Sequence, residues 1–279
     1  MKLPALRSRG TVARRHGVRH EAGAPPLLAL TVLWSLGLAL TVPSLPPAQA
    51  DAPRTDANIL TALDVSDSID GATAALQFEG IAEAVLAPDF LQVVGTGSHG
   101  RIGFAVFTWA AGRNLHVVVP WTLIGSPDDA RRVSAQLKAA ASAKRASPTD
   151  PKAASGKGFV WYECRTDLSA AIEHGRDLLD GAPYRARRQV LNLCANGEDN
   201  VGKGPSGARD RSLTAGVTVN AVALGERPEL GPYLRDQVQD GPASFVLEAR
   251  EHADFAEAML RKFLMDLIAA QPAAREPTG

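Results

Sequence analysis

Three oxygen-bearing side chains stand at alternate positions in the run Leu63-Asp64-Val65-Ser66-Asp67-Ser68: the carboxylate of Asp64 and the hydroxyls of Ser66 and Ser68. In a loop, residues two apart can turn toward one point. A carboxylate flanked by hydroxyls is a ligand set for a hard divalent cation such as Mg2+. The string D-x-S-x-S is common by chance, so its meaning comes from where it stands. It follows an apolar run over 58–64 that suits a buried strand, and it precedes helical spacing from Ile69. Open α/β sheets place their ligands beyond the carboxyl ends of such strands. Two further loops reach the same point if the sheet is doubly wound. One opens a helix at Thr166, in Thr166-Asp167-Leu168-Ser169. The other follows a strand over 190–193, in Cys194-Ala195-Asn196-Gly197. The simpler alternative for Asp64 and Ser68 is capping, because either can N-cap a helix that begins near Ile69.

Other constellations carry less. Gly95–Gly100 has the composition of a phosphate cradle, but it follows a helix and precedes a strand, the reverse of a P-loop. No G-x-S-x-G or H-E-x-x-H occurs. His99, His116 and His174 are scattered, and nothing pairs them with a nucleophile. Glu248, Glu251 and His252 fit a solvated helix start. Trp109 and Trp121 suit a core or a rim equally well. Trp161-Tyr162, just ahead of Thr166, suits either the core or a binding face.

Strands alternate with helices along the chain, the pattern of an α/β sheet. The spacing predicts a helix from Ile69 to Val85 closed by Pro88, then the glycine-rich turn. Strands over 101–109 and 116–122 form an antiparallel hairpin. Ser126-Pro127 starts a helix that runs to about Lys144, and a polar loop covers 146–165. A helix from Thr166 to Leu179 leads to a strand over 188–193 and a polar loop over 195–207. A strand over 217–224, a helix over 233–238, an edge strand over 244–247 and an amphipathic helix over 251–270 complete the order.

With 279 residues, 45% of them hydrophobic, a sizeable core is assured. Thirty basic and thirty acidic residues balance, which argues against a nucleic-acid partner. The N-terminus is basic (Lys2, Arg7, Arg9, Arg14, Arg15, Arg19), then uncharged from Leu27 to Val42, then ends Ala48-Gln49-Ala50. These are the three parts of a secretory signal peptide over residues 1–50. Cleavage after Ala50 starts the mature chain at Asp51, periplasmic or secreted, with no stable membrane insertion. Residues 51–270 read as one domain and 271–279 as a loose tail.

The stretches LDVSDSID, VVVPWTLI, TDLSAAI, RRQVLNLCANGEDNVG and AGVTVNAVAL resemble the von Willebrand factor A-like domains, and among them the DUF1194 family of exported bacterial proteins. The resemblance covers nearly all of 55–270. It implies a doubly wound, mostly parallel central sheet with one antiparallel edge strand and helices on both faces. It also implies a metal-ion-dependent adhesion site, or MIDAS. In that site Ser66, Ser68 and Thr166 coordinate Mg2+ (with Mn2+ or Ca2+ as alternatives) through hydroxyls, and Asp64 acts directly or through water. One departure stands out: Asn196 occupies the position where such sites normally supply an aspartate. Its amide oxygen still accepts a hydrogen bond but brings no charge. Asp67, Glu198 and Asp199 are the acids near in sequence. Cys164 and Cys194 each lie two residues before a site residue, so loops facing one metal would bring the two sulfurs together as a disulfide of an exported protein, the alternative being two buried free thiols at strand or loop ends.

The expectation is a binding module whose metal accepts a carboxylate from a partner protein. The alternatives are a metal-assisted hydrolase, for which no acid–base arrangement is visible, and an assembly or structural factor with a vestigial site.

Overall fold

The computed structural model describes residues 52–66, 68–111, 115–146, 165–202, 204–251 and 254–271. Six strands form one sheet: β1 (Arg54–Asp64), β2 (Ile102–Trp109), β3 (His116–Ile124), β4 (Arg185–Ala195), β5 (Val217–Leu224) and β6 (Val246–Ala249). Their order is β3-β2-β1-β4-β5-β6. All neighbours run parallel except β2 and β3, which form the expected antiparallel hairpin at one edge. Seven helices join them: α1 (Gly71–Ala84), α2 (Pro88–Thr96), α3 (Pro127–Ala146), α4 (Leu168–Asp180), α5 (Ser206–Thr214), α6 (Leu230–Gln237) and α7 (Phe255–Ala270). None of them, among the described residues, is long and apolar enough to cross a membrane.

Strand periodicity sorts the core into two layers. Ile59 and Leu63 of β1, with Phe104 and Val106 of β2, face Phe78, Val133 and Phe263 of α1, α3 and α7. Leu60 and Ala62, with Phe107 and Trp109, face Leu168, Ile172 and Leu234 of α4 and α6. The central strands are buried on both faces, which is why they read as near-continuous apolar runs. Trp109 is a core residue, and Trp121 packs partly buried with its Nε1 donating to the Leu178 carbonyl at 3.1 Å.

Two helices escape the sequence reading. Pro88 does not merely end a helix. It occupies the first turn of α2, where a missing N–H costs nothing, and α2 buries Phe90 and Val94. Between the polar loop expected over 195–207 and β5 lies α5, which buries just Ala208 and Ser212 and so shows no apolar stripe. The strand β1 also begins earlier than expected. Its first residues pair with Arg185 and Ala186 of β4, and the Asp56 carboxylate accepts from the backbone N–H of His99 and Arg101 at 2.9 and 3.3 Å. A Cβ at Gly97 would overlap that carboxylate. The glycine-rich turn is therefore built around Asp56.

A polar cluster is fully buried under α7. Asp266 accepts from Asn192 Nδ2 and Asn220 Nδ2 at 2.8 Å each, and Lys262 Nζ lies 3.3 Å from Asp266 Oδ2. Lys262 also donates to the Asn192 amide oxygen and sits 4.7 Å from the Phe245 ring centroid. Residues 1–50, read as a signal peptide, and 272–279 of the tail lie outside the described residues.

Candidate metal centre

Asp64 ends β1 in the middle of the sheet, so the loop after it opens at the carboxyl rim of the strands. Val65 N–H donates to the Trp109 carbonyl at 2.9 Å, which fixes the loop to β2. Asp64 Oδ1 accepts from the Ser66 N–H at 2.8 Å, and a further backbone bond closes the turn from Ile69 N to Ser66 O at 2.8 Å. The cap of α1 is Asp70, whose carboxylate accepts from Thr73 N–H at 2.6 Å. Neither Asp64 nor Ser68 serves as that cap.

The second and third loops meet the first. Ser66 Oγ lies 3.1 Å from Ser68 Oγ, and Ser68 Oγ donates to Asn196 Oδ1 at 3.0 Å. Thr166 is held from behind by Asn200, whose Oδ1 accepts from Thr166 N–H and whose N–H donates to Thr166 O, both at 3.0 Å. A Cβ built at Gly197 would stand 3.6 Å from Thr166 Oγ1. Ser68, Thr166, Asn196, Gly197, Asn200 and Arg227 line one open cleft of about 470 Å³ together with Glu198 and Asp199.

The electrostatics centre on Asp64. It is fully buried, and its Oδ2 has no hydrogen-bond partner. Loss of water pushes its carboxyl up to about 6, against the opposing hydrogen bonds from Ser66 and Asn196. Such an oxygen is what a cation would complete. The hydroxyls of Ser66, Ser68 and Thr166 and the amide oxygen of Asn196 are hard donors of the same kind. Among the described residues no group of three His, Cys, Asp or Glu is assembled, so a cation here would rely on hydroxyl and amide oxygens beside Asp64. The donor set fits a hard divalent cation, with Asp64 as the carboxylate.

The neighbouring acids differ in what they do. Asp199 Oδ1 accepts from Leu168 N–H at 2.9 Å and Oδ2 from Gly202 N–H at 3.2 Å. Its backbone N–H donates to Tyr233 OH at 3.1 Å. It orders the start of α4 beside the Asp167 cap. Glu198 lines the cleft, and Asp67 lies outside the described residues, as do Cys164 and Trp161-Tyr162. Cys194 is a buried free thiol. It belongs to the core layer under α7, with Sγ 4.0 Å from Met259 Sδ, whereas Thr166 leads into α4 on the opposite face. Two contributors were missed in the sequence, Asn200 and Arg227. Asn200 acts through long-range backbone contacts that local pattern does not display. Arg227 stands in the loop after β5, which the topology alone brings to the cleft.

A six-stranded sheet with one antiparallel edge, helices on both faces and this loop cluster at its carboxyl rim define a von Willebrand factor A-like domain of Rossmann type. The vWF domain of the type V pili tip protein Mfa5 from Porphyromonas gingivalis has the same fold, with a TM-score of 0.51 and 9% identity over 81% of this chain and 99% of that one. The chain belongs to the DUF1194 family, described as a protein of unknown function, whose model matches residues 54–159 and 152–271. It is also similar to proximal thread matrix protein 1 of the mussel byssus at a TM-score of 0.49 and 17% identity, covering 78% of this chain and 49% of that one. One structure of that matrix protein has a zinc-occupied MIDAS motif. The present chain spans about half its length. No curated protein matches the sequence.

Proposed function

We propose that this chain is an exported protein-binding module. Asp64, Ser66, Ser68, Thr166 and Asn196 hold a divalent cation, Mg2+ in the first instance, at the rim of the sheet. The observation that carries the reading is the buried, unpartnered Oδ2 of Asp64, in a loop whose Ser66 and Ser68 hydroxyls link to Asn196 and whose Ser68 lines one cleft with Thr166. A buried carboxylate oxygen without a partner is costly, and a cation offsets that cost directly. The cation, when bound, supplies a positive point able to take a carboxylate from another protein. The chain's own residues orient it: Asn200 fixes Thr166, and Ser66 N–H fixes Asp64. Asn196 contributes an amide oxygen without charge, so the affinity is lower than for a site with a second carboxylate. Export draws its support from the basic, apolar and A-x-A succession of the N-terminus.

Calorimetric titration of the mature chain with Mg2+ and Mn2+ tests the reading. Binding in the wild type, its loss in Asp64→Ala and Ser66→Ala, and its tightening in Asn196→Asp are the expected results. A second reading, a structural domain with a vestigial site, draws on one observation: the Ser66–Ser68–Asn196 chain of hydrogen bonds closes without an ion. Wild-type protein that binds neither ion would select that reading. A hydrolytic role would need a general base, and Asp199 is poorly placed for it, because both its carboxylate oxygens accept from backbone N–H groups.

A further inference from the structure

Arg227 follows β5 by three residues, in a turn made at Gly225, whose φ is +91°. The turn is pinned by Gly225 N–H to the Ala249 carbonyl at 2.9 Å and by Leu230 N–H to the Arg227 carbonyl at 3.1 Å. Glu229 takes the Nε edge of the guanidinium at 2.9 Å. Nη1 turns into the cleft and lies 3.6 Å from the point where a Cβ on Gly197 would be, the same distance at which Thr166 Oγ1 stands from that point. The Thr166 hydroxyl and the Arg227 guanidinium thus both stand within contact of the space over Gly197, where the glycine adds no side chain. A guanidinium presents a fork of N–H donors that matches a carboxylate.

We infer that Arg227 is a second recognition point of this site: the ligand is an acidic side chain of a partner protein that gives one carboxylate oxygen to the cation and the other to Arg227. The inference rests on the metal-dependent reading above and adds to it a specificity-determining residue. A guanidinium at this edge gives the cleft a selectivity for anions that does not depend on the cation alone. It also sets the direction of approach, since the acid must enter over Gly197.

The test uses the mature chain with saturating Mg2+ and two acetylated, amidated peptides, Gly-Glu-Gly and Gly-Gln-Gly, followed by protein NMR shifts. Mg2+ affinity is measured separately by calorimetry. The expected result is Mg2+-dependent binding of the Glu peptide, no binding of the Gln peptide, and shifts at Gly197 and Arg227. Arg227→Gln weakens the Glu peptide about tenfold, the size of one charge-assisted hydrogen bond, while Mg2+ affinity does not fall, since the change removes a positive charge near the cation. Arg227→Lys, which keeps the charge but not the fork, falls between. Gly197→Ala meets no overlap with the protein, so it folds normally and still weakens the peptide. Equal peptide affinity in Arg227→Gln and wild type, or equal binding of the Gln peptide, overturns the inference while leaving the metal site standing. Absence of Mg2+ binding in the wild type overturns the metal reading, and the inference falls with it.

Discussion

Asp64→Asn should make the metal-free protein more stable, although it removes the carboxylate of the proposed metal site. Wild-type Asp64 is fully buried, and its carboxyl is raised from 3.8 to about 6. At about 1.4 kcal/mol for each unit, holding it ionised at pH 7 costs the folded state about 3 kcal/mol. The asparagine removes that cost and keeps the bond from Ser66 N–H to Oδ1. Its amide N–H2 then lies where Oδ2 had no partner, which returns about 1–2 kcal/mol. The net gain is about 1–2 kcal/mol, a rise in Tm of roughly 2–8 °C for a domain of this size. Urea unfolding in EDTA at pH 7 measures it. The pH dependence has a definite sign. The folded pKa lies above the unfolded one, so the wild type gains stability as pH falls from above 6 toward 4, and Asp64→Asn loses that component of the slope. Added Mg2+ reverses the ranking, because a ligand at a hundredfold excess over its Kd stabilises the wild type by about 2.7 kcal/mol and leaves the variant unchanged. A variant less stable than wild type in EDTA at pH 7 would refute the claim that burial costs this carboxylate more than its hydrogen bonds return.

The cluster under α7 makes a different forecast. Asp266→Ala strands Lys262 in the core and should cost about 3–5 kcal/mol in denaturant unfolding, whereas Lys262→Met with Asp266→Leu recovers much of that loss. His174 packs edge-on to Phe107 at 5.1 Å, and burial holds its imidazole below the usual range against the opposing pull of Asp177. Its NMR titration should therefore show a midpoint below 6.5, and its contribution to stability should be lost as pH falls through that window. Cys194 is buried, with its thiol pushed up to about 12. It should resist iodoacetamide at pH 8 in the native state and react in denaturant without reductant, and failure to react there would indicate a disulfide.

The fold was largely legible because its central strands are buried on both faces. Asn58–Asp64, Arg188–Leu193 and Val217–Leu224 each stand out as short apolar runs between polar loops, and the hairpin of β2 and β3 follows from a turn between two β-rich stretches. What escaped were elements whose burial is small or unpatterned. Pro88 both stops α1 from continuing and starts α2, and sequence punctuation shows only the first role. In α5 the buried residues are an alanine and a serine, too little apolar surface to mark a face. The proposed loop ligands Asp64, Ser66, Ser68, Thr166 and Asn196 could be singled out because three of them share one short run, and the topology brings the loops of the other two to the same rim. Asn200 holds Thr166 by its own backbone and amide, and Arg227 reaches Gly197 from the loop that follows β5. Contacts of that kind leave no trace in local spacing.

The ends of the domain have a practical consequence. Arg54 begins β1 beside Arg185, and Gln271, just past α7, donates through its side chain to Thr96 Oγ1 ahead of β2. Both sit at the pole where the parallel strands start, a full strand length from Asn196 and Gly197. A molecule grafted onto a bead, a sensor chip or a cell envelope through either end therefore displays its cleft outward, like a hand held open at the end of an arm. Fusion partners added at either end should leave the approach over Gly197 unshaded.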